Sequence, residues 1–211
     1  MRLRSFAVSL SLICLISITS LGAASSQSAI AISELIRLDI IHGDSTGALP
    51  ASSQEIDHAK FISLLSRSLR LESEPLPVPE PSPRYREWYS SSVAAANAYL
   101  IVPSLTQDQI KQPVSREEAA TLSMRGAFAR HLIRPGAVPA SPPPFADEAA
   151  IDPNSRTASH QAVLMGFMSV GPDNRFRPTS AITFGETAEL IVRINDLYTA
   201  SQNGTGGQEH K

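Results

Sequence analysis

Two stretches decide the fold: Val114-Ser115-Arg116-Glu117-Glu118 and Ile182-Thr183-Phe184-Gly185-Glu186. Each places a hydroxyl residue three positions ahead of a glutamate, the spacing of a capping box. The Ser115 or Thr183 hydroxyl accepts from the backbone N–H of the glutamate, whose carboxylate reaches back to the N–H of the cap. A third stretch, Ile56-Asp57-His58-Ala59-Lys60, offers the cap Asp57 without the reciprocal acid. Behind these starts run Phe61, Leu64, Leu65 and Leu69; Ala120, Met124, Ala127 and Phe128; and Leu190, Ile191, Ile194, Leu197 and Tyr198. That spacing is one face of a helix rather than a strand, so the chain reads as all-α.

Working outward, a second helix precedes each cap, over 30–38, 88–100 and 156–165. Between the paired helices lie turn segments, among them Ile40-Ile41-His42-Gly43-Asp44 in the first unit and Gly166-Phe167-Met168 in the third. The residues after the caps, His58, Arg116 and Phe184, lie 58 and 68 apart, which reads as a divergent threefold repeat. Prolines mark the seams. Of 16, five fall in 75–83 and five in 135–144, and a residue with fixed φ and no donor makes extended, semi-rigid connectors. The expected organisation is units at 25–74, 85–134 and 145–200, connectors at 75–84 and 135–144, and a glycine-rich disordered tail at 201–211.

Residues 1–24 read as a secretory signal peptide: a basic start, an uncharged apolar and hydroxyl run over 5–21, then Gly22-Ala23-Ala24 for a peptidase. The run is near the lower limit for spanning a bilayer, and cleavage is the expectation. Its removal takes Arg2, Arg4 and the single cysteine, Cys14. Lys+Arg falls from 18 to 16 against 20 acids, so the charge moves from −2 to −4. A general nucleic-acid binder needs a basic footprint that this balance excludes. An exported chain without cysteine has no disulfide, thiol nucleophile or thiolate metal site.

In order and recurrence, these pieces resemble the S-layer homology family. The third unit matches in Phe145-x-Asp147, Gly166-Phe167-Met168, Phe176-x-Pro178 and Ile182-Thr183-x-x-Glu186. The second adds Trp88 and Val114-Ser115-Arg116-Glu117-Glu118, which is similar to the family's Ile-Thr-Arg-Ala-Glu signature. The first matches in Ile40 to Asp44, Gly47 and Leu49-Pro50. The resemblance implies three helix-turn-helix units packed as a pseudo-threefold domain, and a non-catalytic anchor. Grooves between units would bind secondary cell-wall polysaccharide, commonly through a pyruvylated sugar, in a secreted protein associated with the cell wall or S-layer. Such a ligand needs a cation for its carboxylate and an aromatic or apolar wall for its ring. Arg116 alone fills the signature arginine position, His58 and Phe184 stand there in the other units, and Trp88 is matched by Ala29 and Arg156. The expected glycan contacts are Arg116, Trp88 and His58. The alternative is a scaffold that has lost glycan binding and docks another envelope protein.

Each of these residues also has a plainer reading. Ser115, Glu118, Thr183, Glu186 and Asp57 are explained by capping alone. Arg116 sits at the first helical position, where its charge opposes the macrodipole. A bound anion would offset that cost, as would a neighbouring acid or solvation. Trp88 is expected to pack in the core before it stacks on sugar, and His58 to be an exposed residue near a cap. Gly43-Asp44-Ser45-Thr46-Gly47 imitates a nucleophile elbow, but no strand precedes it, and its glycines suit a turn. The histidines at 42, 58, 131, 160 and 210 lack metal-ligand spacing, and no phosphate loop or dinucleotide fingerprint occurs. No cofactor and no catalysis are expected.

Overall fold

A computed structural model describes residues 26–43, 46–73, 87–133 and 144–205. The signal-peptide reading of 1–24, the connector 75–84, nearly all of 135–144 and Ser45 of the nucleophile-like box lie outside them. The described chain is mostly helical: α1 (26–37), α2 (His58–Ser68), α3 (Ser90–Ala98), α4 (Gln107–Ile110), α5 (Arg116–Ala129), α6 (Arg156–Leu164) and α7 (Phe184–Thr205). Two short 3₁₀ turns, Leu71–Ser73 and Glu148–Ala150, complete the helical elements.

The caps form as their spacing requires. Ser115 N–H donates to Glu118 Oε2 at 2.9 Å and Glu118 N–H to Ser115 Oγ at 3.3 Å. Thr183 N–H donates to Glu186 Oε2 at 3.0 Å and Glu186 N–H to Thr183 Oγ1 at 3.2 Å. Asp57 accepts from Lys60 N–H at 2.8 Å and from its ammonium at 3.0 Å. A further capping box, Thr106 with Gln109, starts the short helix α4 between α3 and α5. At the other end, α7 continues to Thr205, so 201–205 of the expected disordered tail are helical, and 206–211 lie outside the described residues. The apolar face through Leu197 and Tyr198 had already paid the cost of nucleation, so polar residues could extend the helix.

First helices end alike. Asp39, Leu100 and Gly166 take left-handed φ of 60°, 57° and 70°. The N–H of the next residue, Ile40, Ile101 or Phe167, then donates to the carbonyl five residues back, at 2.8–2.9 Å. This is a Schellman-type stop, which satisfies orphan carbonyls and turns the chain inward. Only one of the three positions is glycine.

The centre is a closed ring built from the residues just before the caps. Ile56 N–H donates to Ile182 O at 3.3 Å, Ile182 N–H to Val114 O at 2.9 Å, and Val114 N–H to Ile56 O at 3.0 Å. A second tier repeats the pattern: the N–H groups of His58, Arg116 and Phe184 donate to Gln112 O, Ser180 O and Gln54 O at 3.1, 2.9 and 2.7 Å. Backbone groups at helix starts would otherwise be unpaired, and here each start is satisfied by the strand-like approach to a neighbour. Ile56, Val114 and Ile182 are buried at the ring. Outside it, α2 packs on α3 and α7, and α5 packs on α6. The Ser28 hydroxyl of α1 donates to Glu189 of α7 at 2.6 Å. Gly126 of α5 lets Leu65 of α2 and Leu69, the residue that caps it, come close; a Cβ there would sit 2.7 Å from a Leu69 methyl.

Candidate functional site

The ring sets the residue after each cap, 58, 116 or 184, against the chain that follows a first helix, and each meeting makes a groove. The three grooves differ in size and charge. The Arg116 groove is only about 20 Å³ and has Glu186 and Glu189 in its wall. The His58 groove is about 190 Å³ and holds one acid, Glu118, and one arginine, Arg125. The Phe184 groove is about 780 Å³, within the size range of ligand sites. Its wall carries Lys60, Arg67 and His42, and no acid among the described residues.

Arg116 is spent within the molecule. It is 7% exposed. Its Nε donates to Phe176 O at 2.7 Å and Nη2 to Ser169 O at 2.7 Å, while Nη1 donates to the Glu186 carboxylate. The guanidinium also lies over the Phe176 ring, 5.3 Å from its centroid. Burial lowers its pKa; Arg177 adds to this, and Glu186 and Asp147 oppose it. Of the partners open to Arg116, a neighbouring acid is the one it takes. Glu186 is both capping acid and counter-ion, and it stands where a ligand carboxylate would have to bind.

His58 is likewise corrected. It is 7% exposed, not solvated. Its Nδ1 lies 2.9 Å from Gln112 O; a carbonyl only accepts, so Nδ1 carries the proton. Nε2 is turned to Glu118, 3.8 Å away. Trp88 reverses the other expectation: it is 59% exposed, two residues before α3, with Tyr89 edge-on at 5.5 Å and itself buried. It does not meet Arg116 or His58. It lines the Phe184 groove instead. The three expected glycan contacts are therefore divided among three grooves.

The large groove rests mainly on α2. Lys60, Ser63, Leu64 and Arg67 follow one another at i, i+3, i+4 and i+7, which places them on one helix face. Arg67 Nη1 donates to Ile40 O at 3.1 Å, which fixes the guanidinium against the inter-helix turn and uses one of its five donors. No carboxylate among the described residues lies within ion-pair distance of it. Ser63 is buried and its hydroxyl has no hydrogen-bond partner. Phe184 and the exposed Trp88 line it together with residues 41–43 and 48–50 of the inter-helix segment. Such a site can hold an anionic group beside a flat, weakly polar ring.

Lys60, Ser63 and Arg67 were not singled out by sequence. The signal was present: Lys60 fills the place of the capping acid in the first unit, so a missing acid is also a gained cation. Among the described residues, no group of three or more His, Cys, Asp or Glu could hold a metal ion, and no helix is long and apolar enough to cross a membrane. No protein-family model matches the chain, and no curated protein matches it.

Proposed function

We propose that the protein is a non-catalytic module of the cell envelope, built from three S-layer-homology-like units, that binds an anionic wall glycan non-covalently. The pseudo-threefold packing of these units is supported by the closed ring of Ile56, Val114 and Ile182 and by the matching Schellman stops. One observation carries the binding reading. In a chain of net charge −2, the largest of the three described grooves gathers Lys60, Arg67 and His42 beside an exposed tryptophan. The signal-peptide reading of 1–24 supports export, and secondary wall polysaccharide is the partner this proposal assigns.

Pull-down of the secreted form with purified sacculi, before and after stripping of the secondary polymer, tests this. Binding to intact but not stripped sacculi is expected. Equal binding to both, or to neither, would overturn it.

A second reading, a scaffold that docks another envelope protein, is favoured by the neutral His58 groove and the filled Arg116 groove, which leave two of three sites without anion-binding character. Cross-linking that recovers one stoichiometric partner from stripped envelopes, with no sacculus binding, would select it.

A further inference from the structure

We infer that Gly43 is a positioning residue for the Phe184 groove: its backbone contact with Gly47 holds the segment after α1 in the shape that makes it a wall of that groove. The effect on binding rests on the glycan-binding reading; the effect on geometry does not.

The base of the segment is fixed from two helices. Asp39, at φ 60°, ends α1, and the N–H groups of Ile40 and Ile41 both donate to Leu35 O, at 2.9 and 3.3 Å. Ile40 and Ile41 are buried, and Ile40 O accepts from Arg67 Nη1 of α2 at 3.1 Å. With these groups paired, the direction in which the chain leaves the helices is set.

Farther along, backbone meets backbone. A Cβ on Gly43 would sit 2.7 Å from Gly47 Cα and closer still to the Gly47 carbonyl carbon and oxygen. Main chain cannot give way as the end of a flexible side chain can, so only glycine allows this approach. Gly47 is needed for a different reason. Its φ is 81°, in the left-handed region, but a Cβ there would meet nothing within 4 Å. One glycine answers to space and the other to conformation.

The contact shapes the groove. Ile41, His42 and Gly43 before it, and Ala48, Leu49 and Pro50 after it, all line the groove, whereas Gly47 lies outside the lining. The third unit shows what a differently held segment does. There Asp147 accepts from the N–H groups of Phe176 and Arg177 at 2.8 Å each, Phe176 O accepts from Arg116, and about 20 Å³ of groove remains, against about 780 Å³ in the groove that Gly43 lines. The segment after the first helix therefore decides how much groove is left. In the first unit the Gly43 contact draws its two arms together, and a wall formed in advance costs no ordering when a ligand arrives.

Gly43→Ala and Gly47→Ala separate position from stability. In the secreted full chain, Gly47→Ala should lower the melting temperature by about 2–4 degrees through left-handed strain and bind native sacculi as wild type does. Gly43→Ala should keep wild-type helix content by circular dichroism and lose about tenfold in affinity per folded molecule, because its wall is displaced. Trp88, the only tryptophan and a lining residue, gives a readout without ligand. Its quenching by acrylamide should rise in Gly43→Ala, as the spread arms open the groove it lines, and stay at the wild-type value in Gly47→Ala. Unchanged quenching and affinity in Gly43→Ala, equal losses in the two variants, or a Gly43→Ala chain that does not fold each overturns the positioning role. Failure of wild type to bind native sacculi, with quenching still separating the two variants, overturns the glycan reading and upholds the geometry.

Discussion

The Arg116 groove and the Phe184 groove occupy equivalent places around one ring, yet one is filled and the other open. In the first, Arg116 meets Glu186, Phe176 O and Ser169 O, and about 20 Å³ remains. In the second, a phenylalanine stands at the corresponding position, contributes no charge, and leaves about 780 Å³ beneath Lys60 and Arg67. The contrast shows that a residue type suited to binding is not a binding residue until its partners are known. An arginine with three internal acceptors is a cross-link between units, and the lysine that replaces a capping acid pairs with the cap Asp57 at 3.0 Å while still lining the open groove.

The comparison breaks most directly at Arg116. Arg116→Met should destabilise the protein by about 2–4 kcal/mol in urea unfolding, because the Phe176 and Ser169 carbonyls and Glu186 lose their donor. Sacculus binding per folded molecule should not change. A stable variant that no longer binds would restore Arg116 to the ligand site.

The opposite outcome is expected at Trp88. Trp88→Ala should leave stability within about 0.5 kcal/mol, since the side chain is exposed, and should weaken sacculus binding about tenfold through lost stacking. Binding unchanged together with a large loss of stability would return Trp88 to the core.

A smaller effect sharpens the contrast through pH. Desolvation alone would raise the pKa of Asp147, but the backbone N–H groups of Phe176 and Arg177, each 2.8 Å away, and then Arg175 outweigh it, and the pKa is lowered. A depressed folded pKa stabilises above the unfolded value near 3.8 and is lost as pH falls through the folded value. Since Phe176 O also holds Arg116, the filled groove should loosen first in acid. Asp147→Asn should flatten the fall in melting temperature below that pH, and an unaltered profile would remove Asp147 from the account.

The smallest effect concerns the helix stops. Leu100 is 83% exposed at φ 57°, where Gly166 stands in the third unit. Leu100→Gly should stabilise by about 0.5 kcal/mol, since relief of left-handed strain exceeds the entropy glycine adds to the unfolded chain. Thermal melting measures it, and a loss of stability would mean that the Leu100 side chain packs more than its exposure implies.

Much of the fold was legible beforehand because its signals are local. Ser115 with Glu118 and Thr183 with Glu186 are three residues apart, so spacing alone announced both helix starts, and Asp57 announced the third. The proposed site was less legible. Trp88, Lys60 and Phe184 come from three separate stretches, and nothing in their spacing brings them to one groove. His58 looked exposed because residues beside caps usually are, whereas it is buried beside the ring of backbone bonds at Ile56, Val114 and Ile182.

The sequence by itself determined the all-α class, the caps and the apolar helix faces, because each depends on interactions within a few residues. Tertiary structure decided which cations are spent and which are offered. Whether an arginine neutralises Glu186 or faces an open groove depends on contacts 70 residues apart in the chain, and only the packing of the units sets those distances.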